Sequence, residues 1–224
     1  MNTDRLIERL AQEAEPAPPL AQPWTRAATW LAGVAIYLFV VALSMTSSAD
    51  VAANGIGWRF VFPQIAAIVT SLAAAVAAFA SIVPGYSRRI LALPAVAAAV
   101  WLGSVAGWSL QEWNQGVSLA APREWLCVAM IVGGGAVPAL LMSTMLRRGA
   151  PLTPGVTTAL AALAVAGLSN VVACLSEPHP SSVVVLIWHG GTIVTLVALA
   201  AWAGRRVLNW ERLRAAAQPA RRSR

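Results

Sequence analysis

The sequence predicts an all-α polytopic membrane protein of six transmembrane helices, with a short cytoplasmic helix at its N-terminus. Three observations carry that prediction. The 224 residues are 58% hydrophobic and only 11% charged, against roughly 45–50% and 25% in ordinary soluble domains. The apolar residues fall into six runs close to the roughly 20 residues that cross a hydrocarbon core. The arginines, all 16 basic residues with no lysine among them, stand at the ends of those runs, where they set orientation and meet headgroups.

Residues 1–26 come first and are polar. Thr3 is placed to cap a helix and Asp4 suits its first turn, while Leu6, Ile7 and Leu10 recur at helical spacing on one side. So short a helix is marginal alone in water, which predicts that it folds against something. The stretch Glu15-Pro16-Ala17-Pro18-Pro19 then reads as a stiff linker. The apolar run that follows is too long for the core of a secretory signal, and its leading segment is acidic as well as basic.

The six spans are expected at about residues 27–46, 59–82, 90–110, 125–146, 155–175 and 182–204, leaving 205–224 as a basic cytoplasmic tail. None of the breaks between them is long enough for a domain. With the N-terminus inside, fourteen of the sixteen arginines face the cytoplasm and only Arg59 and Arg123 lie outside. That bias predicts that both termini are cytoplasmic, while Arg-only usage and heavy Ala content point to a high-GC bacterial genome and so to the inner membrane as the expected location. It also turns a net charge of +7 into a topology signal, so the lipid bilayer is an expected partner and direct nucleic-acid binding is not.

Within the spans, Gly103-Ser104-Val105-Ala106-Gly107 has the small-residue spacing that lets helices approach in lipid. Gly133-Gly134-Gly135 followed by Pro138 is expected to loosen or kink the fourth span. The amides, thiols and imidazole inside the spans are Gln64, Cys127, Asn170, Cys174 and His189, all in the outer half. Asn170 and Cys174, four apart, share a helix face, and His179 lies in the loop just beyond.

Thiols facing an oxidising compartment are open to a reversible disulfide. Thiolate and imidazole equally suit a transient soft metal ion, with Cys127 and Cys174 the candidate ligands. Plain packing of small thiols, with His189 bonded to a neighbouring helix, is the alternative at this point. No resident cofactor is expected, and HExxH, GxSxG, CxxC, phosphate-loop and paired intramembrane carboxylate signatures are missing, so an enzyme is not expected. A transporter using the break near Gly133–Pro138 and a membrane thiol oxidoreductase remain as other classes.

A family resemblance enters through Arg147-Arg148-Gly149-Ala150-Pro151-Leu152, Ala173-Cys174, Pro178-His179, Trp188-His189 and Gly204-Arg205-Arg206. With the opening TDRLIERLA and Val83-Pro84-Gly85-Tyr86-Ser87-Arg88-Arg89, the chain resembles the NrsF-type anti-sigma factors, negative regulators of an extracytoplasmic-function sigma factor. The resemblance implies that the N-terminal segment sequesters the sigma factor and that a metal or oxidant at outer-facing cysteines releases it. It assigns Cys127 and Cys174 as the paired cysteines, with His179 and His189 beside them, and Asp4, Leu6, Ile7 and Leu10 to the partner-binding motif. Here the family's Cys-Pro-His loop reads Cys174-Leu175-Ser176-Glu177-Pro178-His179.

Overall fold

The computed structural model describes residues 3–13, 21–45, 57–83, 85, 87, 89–116, 124–149, 153–176 and 181–207. Among them there is no strand. The helices are α1 (Thr3–Glu13), α2 (Pro23–Met45), α3 (Trp58–Ala80), α4 (Arg89–Trp113), α5 (Glu124–Leu146) and α6 (Pro154–Ser176). The last rod opens as α7 (Ser182–Val184), passes through a π-helical turn at Val185–His189 and continues as α8 (Gly190–Val207). Six of these units are long and apolar enough to cross a membrane.

The expected spans are therefore present, with ends displaced by up to a turn. The largest shift is at the first, where α2 starts at Pro23 rather than at residue 27. Proline is well suited to a first helical turn because its missing N–H would have no partner there. This start draws Arg26, which the charge pattern assigned to the polar N-terminal segment, into the first turn of the span, where it is buried. Pro154 opens α6 in the same way.

The centre of the bundle is α6, of whose span 67% is buried, against 17% for α4. It packs against α3, α5 and α8, with α2 completing the ring near one end. Small side chains allow this, since lipid supplies no hydrophobic drive between helices and close backbone approach must do the work. A Cβ at Gly167 would strike Ser71 Oγ on α3, and one at Gly135 would come within 3.2 Å of Val165 on α6. At Gly204 it would meet Thr158 and sit 2.7 Å from the carbonyl oxygen of Pro154. The Thr158 hydroxyl donates across the same contact to the Ala200 carbonyl at 2.6 Å.

Two features expected from sequence are used differently. Gly103 and Gly107 are exposed, with open space where side chains would be, so these two glycines do not pack against the described helices. Helix α5 runs without interruption through Gly133–Gly135 and Pro138. The carbonyl of Pro138 accepts a hydrogen bond from Trp30 Nε1 of α2 at 3.1 Å. Of the three glycines, only Gly135 is buried, where it admits α6.

Candidate functional site

Antiparallel connection by short breaks collects the helix ends into two groups. One end of the bundle gathers the start of α2, the ends of α3, α5 and α8 and the start of α6. The other gathers the ends of α4 and α6 and the starts of α5 and α7. The intramembrane thiols and imidazole belong to the second group.

There, near the C-terminal end of α6, Asn170 and Cys174 sit one helical turn apart and face the π-helical turn that ends at His189. All three are about 1% exposed. His189 Nδ1 lies 2.7 Å from Asn170 Oδ1 and 3.6 Å from Cys174 Sγ. An amide oxygen only accepts, so the imidazole carries its proton on Nδ1 and donates it to Asn170. The thiol donates to the same oxygen more weakly, at 3.9 Å. One amide oxygen thus holds a thiol and an imidazole against each other. The Nδ1–H that serves Asn170 is also the ring donor lying beside the Cys174 sulfur.

The π turn follows directly on a helix start that is fixed in place. Glu112, at the end of α4, accepts hydrogen bonds from the Ser182 backbone N–H at 2.7 Å, the Ser182 hydroxyl at 2.9 Å and the Val183 N–H at 3.4 Å. Ser181 caps the same end through Val184 N. The start of α7 is therefore pinned to α4, and an extra residue in the next turn brings His189 round to face α6; such π insertions recur at functional sites. Glu112→Ala should lower the stability of the purified protein by about 1–2 kcal/mol, as loss of a capping carboxylate does. Thermal unfolding in detergent checks this, with Gln111→Ala expected to unfold like wild type, since the exposed Gln111 Oε1 only accepts a 3.4 Å bond from Arg59.

Cys127 lies in the first turn of α5 and is 2% exposed. Ile131, one turn further along the same face, packs in the apolar cluster that also contains Cys174, Val185 and Trp101. The π turn packs on α5 as well as on α4. Cys127, Cys174 and His189 therefore share one end of the bundle, and both cysteines are buried thiols rather than halves of a disulfide. Among the described residues, no three His, Cys, Asp or Glu side chains converge in a way that would hold a metal ion. His179 lies outside the described residues.

The N-terminal candidates lie on α1. Asp4 and Ile7 are exposed, Ile7 at 59%. Leu6 and Leu10 fall within the same helix, their side chains outside the described set.

Sequence reasoning missed two residues. Glu112 falls in the sequence between the third and fourth spans, and a carboxylate at a span end facing a Ser-Ser helix start is the available signal. Arg26 was counted only as an inside charge. Its Nη2 donates to the Met145 carbonyl at the end of α5, and its guanidinium lies 4.8 Å from the centre of the Phe79 ring on α3. Nη1 is buried with no hydrogen-bond partner among the described residues. With the Trp30–Pro138 bond, this ties α2 to α5 at two levels.

No curated protein and no solved structure matches the chain. The profile of a family described as NrsF, negative regulator of sigma F, matches residues 10–210. Nearly the whole membrane bundle lies inside that match. The chain accordingly belongs to the NrsF family, negative regulators of a sigma factor.

Proposed function

We propose that the chain holds an extracytoplasmic-function sigma factor at the bacterial inner membrane through α1, and frees it when an oxidant or a soft metal ion reaches Cys174 and Cys127 at the outer end of the bundle. The observation that carries the sensing half is the buried Asn170–Cys174–His189 contact. A thiol with a 3.6 Å imidazole neighbour is prepared for oxidation or soft-metal ligation in a way that a thiol among methyl groups is not. The family's role is regulation, which argues against catalysis.

Transmission follows the packing. Cys127 begins α5, and the other end of α5 is held to α2 by Arg26 and Trp30. Helix α2 leads back to α1 through residues 14–22. Oxidation or ligation at the outer thiols repositions α5 against α6, and α2 moves with α5, so α1 is presented differently to its partner. Release then requires lower affinity for the sigma factor in the reacted state.

The test is a reporter driven by the partner sigma factor's promoters. Cys127→Ser and Cys174→Ser should each reduce induction by oxidant or cadmium by about tenfold or more while leaving uninduced repression intact, a tenfold change being about 1.4 kcal/mol of coupling. Wild-type induction in both variants would remove the thiols from the mechanism.

A further inference from the structure

At the end of the bundle away from the thiols, the start of α2 meets the end of α5 around two arginines. Arg26 is 7% exposed, with Nη2 spent on the Met145 carbonyl. Arg148 follows Met145 by one turn on the same side. It is exposed, and its charge bears on Arg26. Among the described residues of α2 to α8 no acidic residue stands at this end, since Glu112 and Glu124 both belong to the other. Two like charges are therefore held together, one of them out of water, and these helices supply no opposite charge. Such a pair is costly until an anion joins it. The same two helices also form an apolar seam that lipid can reach: a Cβ at Gly33 of α2 would come within 4.0 Å of Leu141 of α5, itself exposed, and Trp24 at the start of α2 is 52% exposed, as an interfacial ring is.

We infer that this corner binds one anionic phospholipid, its headgroup phosphate paired with the exposed Arg148 guanidinium in front of the buried Arg26 charge, and its chains lying along the α2–α5 seam. Each part follows from the geometry. A guanidinium fork matches two phosphate oxygens. Arg26 needs no contact with the lipid, because a charge set in an apolar interior is little screened and acts on an anion held by its neighbour. A zwitterionic headgroup carries its own cation to the same place and gains less. A soluble anion gains nothing from the seam. The other described arginines at this end are built differently: Arg206 stacks on Trp202 at 4.8 Å, and Arg89, at the start of α4, is exposed. Among the described residues Arg26 is the one buried arginine, which singles this corner out from the general attraction of basic helix ends for headgroups. The inference uses neither the thiols nor the sigma factor and goes beyond the reading proposed above.

The experiment uses the full chain in a neutral detergent, with dioleoylphosphatidylglycerol as the probe and titration by native mass spectrometry as the readout. Saturable binding of one lipid is expected, about tenfold tighter than that of dioleoylphosphatidylcholine. Arg148→Ala should weaken phosphatidylglycerol binding about tenfold and leave phosphatidylcholine unchanged, whereas Arg89→Ala should alter neither. Arg26→Gln, which removes the buried charge, should also weaken phosphatidylglycerol, and Arg26→Lys, which keeps the charge, should restore it. Should the Arg26 variants fail to fold, the comparison of Arg148→Ala with Arg89→Ala decides alone, both being exposed positions. Equal affinity for the two lipids, or equal loss in Arg148→Ala and Arg89→Ala, overturns the inference and leaves only diffuse attraction. Displacement of the lipid by millimolar inorganic phosphate would assign the corner to a soluble anion and overturns it as well. Because the titration contains no oxidant and no sigma factor, its failure is distinct from failure of the sensing reading, which the reporter with Cys127→Ser and Cys174→Ser decides.

Discussion

Removing residues 1–14 should release the sigma factor completely: its promoters run without inducer at the level seen when the whole gene is deleted, although the membrane bundle is still made and inserted. The expectation comes from how α1 is built. Leu6, Ile7 and Leu10 recur at helical spacing in an otherwise charged segment, which is the pattern of a helix that lays one apolar stripe into a partner's groove. Every α1 side chain the structure describes is exposed, including Ile7 at 59%. An apolar side chain of that size gains about 1.5–3 kcal/mol when fully buried. Ile7→Asp alone should therefore weaken sigma-factor binding by about 10- to 100-fold, measured by pull-down with full-length protein in detergent. The shortened protein should keep its thermal midpoint. If truncation leaves repression intact, the sigma factor docks elsewhere, and the basic residues at the same end of the bundle become the surface to test.

The second large effect is expected at Gly204, where a single methyl group should loosen the bundle. The Cβ of Gly204→Ala would sit 2.7 Å from the Pro154 carbonyl oxygen and 2.8 Å from Gly155 Cα. Both are backbone atoms, so no rotamer change relieves the clash and α8 must move away from α6. Moving it also stretches the 2.6 Å bond from Thr158 to the Ala200 carbonyl. Overpacking of this kind costs about 1–3 kcal/mol, with the lost hydrogen bond adding about 1 kcal/mol. Gly103→Ala is the contrasting case: nothing lies within 4 Å of the added atom, and alanine is the better helix former, so its stability should equal or slightly exceed wild type. Unfolding titrations of the two variants in detergent separate them. Equal loss in both would mean that the α6–α8 contact is not the source of the cost, since the unfolded-chain effect of Gly→Ala is a gain in stability.

The contrast between Gly103 and Gly204 also shows where sequence stops being informative. The six spans were legible because lipid imposes both length and composition on a crossing helix, and the arginine bias orders their ends. Small-residue spacing was legible as well, but not which stripe would face inward. Gly103 and Gly107 match the helix-pairing pattern and face out; Gly167 and Gly204 carry the close contacts. Both stripes look alike because side-chain periodicity is weak in helices rich in Ala and Gly. The Gly133–Gly135 stretch reads as a weak point, whereas the fold spends only Gly135 on packing and keeps α5 continuous.

The candidate site was partly legible. Cys174 and Asn170 share a face by their spacing alone, and His189 falls about two turns into the last rod. They meet at 2.7 and 3.6 Å across the π turn, and Glu112 holds the start of the same rod to α4. That carboxylate is 70 residues away in sequence, and no local pattern connects them. Arg26 shows the same limit from the other side. An arginine at a span end reads as an interfacial charge, and only the earlier start of α2 reveals it capping α5 from within the bundle.

The central claim is that the thiol end and the sigma-factor end of the bundle lie on opposite sides of the membrane. Single cysteines placed in a Cys127→Ser, Cys174→Ser background test it most directly, with Gln115→Cys at the thiol end and Arg147→Cys at the other, both exposed positions. A membrane-impermeant maleimide applied to intact spheroplasts should label Gln115→Cys at once and Arg147→Cys only after lysis. Labelling of Arg147→Cys before lysis, with Gln115→Cys protected, would invert the protein and contradict the account.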